Sequence, residues 1–121
     1  MKRLVGAFLG VAIVIGPFTG TGSAQAPDPK LVAAGKRLFS VKDCTQCHMA
    51  EGKGNKKLRM DGPAAKVAKL APEEIRQWIV SPVEMTAKLP HKPENPMKKK
   101  VLTEAEVDSL VAYMMFLRTK K

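Results

Sequence analysis

Five consecutive residues, Cys44-Thr45-Gln46-Cys47-His48, hold both cysteines of the 121-residue chain and one of its two histidines. Two thiols three positions apart, followed at once by an imidazole, suit one chemistry above others. The thiols can add across the two vinyl groups of a single porphyrin, and the imidazole then falls under the iron as an axial ligand. The motif points to one covalently attached haem c with its iron, Cys44 and Cys47 as attachment points and His48 as a metal ligand. Other chemistries use the same residue types. Cys44, Cys47, His48 and His91 are candidates for a four-ligand zinc set, although adjacent Cys47 and His48 crowd one tetrahedral ion. A thioredoxin-like pair needs a βαβ setting, and no strand pattern is present. A single motif excludes a multihaem enzyme within this chain.

The elements that must position the motif read as helices. Asp28-Pro29 supplies an N-cap and a proline at the first helical position. Leu31, Ala34, Gly35, Leu38 and Phe39 then recur at helical spacing, so a first helix runs to about Ser40, just ahead of the motif. Residues 50–57, made of Gly, Lys, Glu and Asn for the most part, read as a solvated loop. Asp61-Gly62-Pro63 marks a turn, and residues 64–70 read as a short helical segment. Pro72-Glu73-Glu74 starts a second helix, with acids against the positive end of its dipole. Ile75, Trp78 and Ile79 line its buried side, and Ser81-Pro82 ends it. Residues 82–102 carry four prolines and many lysines and read as a loop wrapped over something. Thr103-Glu104-Ala105-Glu106 is a capping box for a last helix, on which Val107, Leu110, Val111, Met114 and Leu117 form an apolar face to about Arg118. The fold class is all-α.

Ahead of these elements stand Lys2 and Arg3, an uncharged apolar run over residues 4–18, and small residues at Ser23-Ala24-Gln25-Ala26. This is the layout of a secretory signal peptide, with the cut after Ala24 because a cut after Ala26 would leave Pro27 beside it. The run is short of a membrane span and carries Gly10, Gly16 and Pro17. Residues 1–24 are therefore expected to be a cleaved leader, and residues 25–121 one exported domain in the periplasm, with no stable membrane insertion after cleavage. Loss of Lys2 and Arg3 lowers the formal charge from +10 to +8 (19 bases against 11 acids). That excess favours an acidic partner surface. No nucleic-acid partner is expected, since the bases are not interleaved with aromatics as stacking binders require. The whole chain has six aromatic residues, and Phe8 and Phe18 leave with the leader. A large flat ligand would supply much of the missing core, so the apo chain is expected to fold poorly.

In this order (helix, Cys-x-x-Cys-His, Gly-Pro loop, helix, methionine loop, last helix) the chain resembles the small class I cytochromes c. The resemblance covers nearly all of residues 25–121. It is carried most specifically by Gly-Lys-Arg-Leu-Phe at 35–39 and Leu-Val-Ala-Tyr-Met at 110–114. It implies that the N- and C-terminal helices cross closely around one covalently bound haem, with Gly35 and Phe39 on the first and Leu110 and Tyr113 on the last. It implies that His48 donates its second ring N–H to the Pro63 carbonyl, although Ala65 stands where the family often has leucine and the intervening loop is longer. The sixth ligand it implies is Met97, in a proline-bounded loop six residues ahead of Thr103. Lys98 stands where a proline commonly follows. Met85, His91 and an open position are the alternatives.

His/Met ligation closes both axial positions and implies a one-electron carrier between redox proteins, not an enzyme. An open position would instead imply a haem that binds small ligands. A dedicated haem subunit of a periplasmic dehydrogenase or oxidase would share the carrier's chemistry. The expected partners are acidic redox proteins, periplasmic or membrane-bound oxidoreductases, met through Lys56, Lys57 and the run Lys98-Lys99-Lys100. Trp78 either packs within its helix or faces a haem propionate.

Overall fold

Asp28 accepts the Lys30 N–H at 2.7 Å, which satisfies one of the free donors at a helix start. With Pro29 at the first position, helix α1 forms over Pro29–Val41. At the other end of the chain, the Thr103 hydroxyl accepts the Glu106 N–H at 3.2 Å while the Glu106 carboxylate accepts the Thr103 N–H at 2.9 Å. This reciprocal box starts the last helix, Glu104–Leu117. The computed structural model describes residues 25–121; the leader expectation concerns residues 1–24 and lies outside them.

Between these helices come a 3-10 turn at Cys44–Gln46, strands β1 (Met49–Ala50) and β2 (Lys53–Gly54), and a second 3-10 turn at Lys66–Lys69. Helices α2 (Pro72–Val80) and α3 (Pro82–Ala87) follow, so the last helix is α4. The architecture is all-α apart from this two-stranded antiparallel hairpin, which pairs Met49 with Gly54 and Ala50 with Lys53. The hairpin stands where a solvated loop was expected. Its turn, Glu51-Gly52, has both φ values positive, 50° and 78°, the geometry that fits tight two-residue hairpins. Helix α3 likewise occupies the start of the expected 82–102 loop. Pro82 sits at its first position, so the proline that ends α2 also opens α3.

Helices α1 and α4 cross where Gly35 leaves room. A Cβ there would collide with the Ser109 carbonyl oxygen and approach the Tyr113 Cβ to 2.7 Å, so only glycine permits this closeness. One turn on, the Phe39 and Tyr113 rings meet edge to face at 5.7 Å, worth about 1 kcal/mol beyond their burial. Ile75 of α2 and Leu117 of α4 complete this core and are almost fully buried. Arg76 ties α2 to α4 through Glu104 at 3.1 Å and through Asp108.

Candidate haem site

Helix α1 stops at Lys42, and Asp43 adopts the left-handed conformation with φ 59°, which aspartate tolerates better than most residues. That reversal winds the next residues into a tight turn. The Cys44 carbonyl accepts the N–H groups of both Cys47 (3.2 Å) and His48 (2.9 Å). The three-residue spacing thus places both thiols on one turn, with the imidazole directly behind them. Cys44 is half-buried and Cys47 exposed, and both are free thiols. Burial pushes the Cys44 thiol above its ordinary range, while the nearby Lys100 ammonium draws it back.

The returning chain locks this turn in place. Asn55 donates its backbone N–H to the carbonyls of Thr45 (3.1 Å) and His48 (3.2 Å), and its side-chain amide to that of Gln46 (3.2 Å). Gly54 makes the approach possible, since a Cβ there would strike the His48 carbonyl. Met49 adds a further tie, donating to Leu58 and accepting from Met60, each at 2.8 Å.

Glu51, at the hairpin tip, fastens the same loop to both terminal helices. Its carboxylate accepts the Tyr113 hydroxyl at 2.9 Å and pairs with Lys36 at 2.9 Å and Lys120 at 3.3 Å. The Lys36 contact first, then Tyr113 and Lys120, holds the Glu51 carboxyl below its ordinary range. Tyr113 is pushed well above its own by burial and by Glu51.

His48 lies against Phe39, ring centres 6.4 Å apart. Its Nδ1 is buried without a hydrogen-bond partner, so the implied bond to the Pro63 carbonyl is not formed. Pro63 is instead exposed, and the preceding Gly62 N–H is taken by the Leu117 carbonyl at 3.0 Å. Burial lowers the His48 pKa from its ordinary 6.5, toward the neutral form with a lone pair for a metal. Buried polar atoms are nearly always paired. A half-buried imidazole with no side-chain hydrogen bond, one residue from one free thiol and four from another, fits a haem that binds all three.

Met97 sits half-buried in the segment between α3 and α4, and Met85 half-buried on α3, while His91 is exposed. Lys56, Lys57, Lys98 and Lys99 are exposed, Lys100 is half-buried, and Trp78 is half-buried on α2. Among the described residues, no group of three or more His, Cys, Asp or Glu side chains converges on a metal position, so the alternative zinc set is not assembled. Nor is any described helix long and apolar enough to cross a membrane.

Glu51, Gly54 and Asn55 escaped the reading of the sequence. Their signal was the pair of glycines two apart, Glu-Gly-Lys-Gly-Asn, which marks a tight turn but does not say what the turn folds against.

A family model described as Cytochrome c matches residues 32–118. Comparison with curated proteins and with solved structures gave no match.

Proposed function

Because the chain belongs to the cytochrome c family, we propose that it is a periplasmic one-electron carrier that shuttles electrons between redox proteins, its iron held by His48 and Met97. The family carries covalently attached haem c with iron and serves electron transfer, and the crossing of α1 and α4 matches its all-α class I fold. When bound, the haem supplies an iron that changes oxidation state by one electron without gaining or losing a ligand.

The chain's own residues do the holding. Cys44 and Cys47 would anchor the group by thioethers from one turn. His48 would give its lone pair from a backbone that Asn55 fixes at three carbonyls. Met97 would give a soft sulfur, which would favour the reduced state and raise the potential. Phe39, Tyr113 and Leu117 keep water from the core behind the motif, so little solvent reorganises on electron transfer. The exposed lysines 56, 57, 98 and 99 offer positive charge to acidic partners. This chemistry asks for no general acid, base or nucleophile.

The observation that carries this reading is the turn that bears two free thiols and, directly behind them, a half-buried imidazole whose Nδ1 has no partner. Its test is the absorption spectrum of the purified holo-protein, oxidised and then reduced, out to the far red. A weak far-red ferric band with low-spin c-type peaks on reduction is the expected outcome. A high-spin spectrum without that band would replace the carrier with an open-site haem. Electron transfer to a partner is also expected to slow as salt is added; rates indifferent to salt would remove the lysine contact.

A further inference from the structure

The Met97 segment is nearly unbonded. Among the described residues, the single hydrogen bond made by residues 90–102 runs from the Lys42 ammonium to the Val101 carbonyl, at 3.3 Å. The same ammonium lies 3.4 Å from Oε1 of Glu106, whose Oε2 already accepts the Thr103 N–H in the α4 capping box. Lys42 is also the residue that ends α1, its N–H bonded to the Leu38 carbonyl at 2.8 Å. It stands two positions before Cys44, whose thiol lies 4.0 Å from the Lys42 carbonyl. One residue therefore joins the beginning of the haem motif, through its carbonyl, to the end of the Met97 segment and the first turn of α4, through its ammonium.

We propose that Lys42 is the positioning residue for the sixth ligand: its ammonium holds the backbone carbonyl of Val101, a residue whose side chain stands in solvent four positions beyond Met97, and so limits how far the methionine can leave the iron. The inference rests on Met97 as that ligand. Pro90, Pro93 and Pro96 stiffen the segment on one side of Met97 by fixing φ. On the other side Lys98, Lys99 and Lys100 carry no such restraint, and their like charges repel. That side is closed by the Lys42 bond and, one residue further on, by Leu102 packed against the core, and Glu106 offsets the positive charge gathered there. Without the Lys42 bond the segment samples more open arrangements, and the ligand-free fraction of iron rises in proportion.

An outside ligand that competes with methionine reads this fraction directly. Imidazole titrated into ferric holo-protein and followed spectroscopically is the experiment. Lys42→Met is expected to bind imidazole about threefold to tenfold more tightly than the parent, the effect of one lost charge-assisted bond. Lys42→Arg, which keeps the charge and the reach, should stay within about twofold of the parent by the same reasoning. Glu106→Gln leaves the Val101 bond intact and should have the smaller effect of the two disrupting changes. The denaturant midpoint for global unfolding should move little in any of them, which separates positioning from general weakening.

Should Lys42→Met not mature, Lys42→Asn is the second variant, too short to reach Val101 and well suited to a helix end. Parent-like imidazole affinity in the recovered variant overturns the proposal, as does an effect of Glu106→Gln that exceeds it. Met97→Ala separates the two levels. Loss of the far-red band there, with unchanged affinity in the Lys42 variant, removes this proposal alone. Persistence of the band in Met97→Ala removes the ligand assignment and this proposal together.

Discussion

From His48 to Gly62 the chain is tied down at short intervals: Met49 to Leu58 and Met60, Glu51 to Asp61 and Tyr113, Asn55 to three carbonyls of the motif, Gly62 to Leu117. From residue 90 to residue 102, the bond from Lys42 to Val101 stands alone among the described residues. The two stretches carry the two proposed axial ligands, so one ligand is set in a braced loop and the other on a tethered one. Local opening costs less where fewer bonds and buried contacts must break. The His48 side should therefore yield only with the whole fold, and the Met97 side well before it.

The largest expected effect lies at the helix crossing that backs the His48 side. Gly35→Val forces a side chain into the Ser109 carbonyl and should destabilise holo-protein by about 3 kcal/mol or more, read from denaturant unfolding. A variant with parent-like stability would mean that the helices can part freely, and the braced side would lose its backing.

Glu51→Gln comes next. It takes the charge from Lys36 and Lys120 and weakens the bond to Tyr113, at a cost of about 1–2 kcal/mol, with the far-red band intact. Its pH dependence sharpens the same point. The folded-state pKa of Glu51 is depressed, so its contribution is present above the ordinary value of 4.5 and is lost as pH falls through the lower folded value. The stability gap between parent and Glu51→Gln should be widest above about pH 5 and close in more acid solution. A gap that is constant with pH would show that the hydroxyl bond, not the charge, holds the hairpin.

On the tethered side the order of effects reverses. Met97→Ala should abolish the far-red band and lower the potential, through loss of the sulfur ligand and not of packing. Covalent haem should remain. An unchanged potential would sink the ligand assignment. The smallest effect is Arg76→Ala, which cuts the α2–α4 pairs to partners that are themselves largely exposed. About 0.5 kcal/mol is expected, with an unaltered spectrum. A changed spectrum there would mean that α2 also bears on the iron.

Much of this molecule was legible as a string. Asp28-Pro29 and the Thr103–Glu106 box act through hydrogen bonds within a few residues of each other, so the ends of α1 and α4 follow from local chemistry. The motif Cys44–Cys47–His48 names its own cofactor because the spacing alone puts both thiols on one turn. The family resemblance places Gly35 at a helix crossing, and the cost of glycine inside a helix, about 1 kcal/mol unless close packing uses it, agrees with that placement.

What only the tertiary structure decided depends on residues far apart in sequence. Glu51 looked like loop solvation until folding brought it to Lys36, Tyr113 and Lys120. The hairpin was hidden because strands of two residues leave no alternation to detect, and α3 because a proline that stops one helix can equally start the next. Pro63 is implied as the His48 acceptor only by the family resemblance, yet whether its carbonyl meets His48 depends on the path of a longer loop. Lys42 could have been any solvated lysine. Its partners are Val101 and Glu106, about sixty residues away, and no local pattern encodes a bond that exists only once α1 and α4 have crossed.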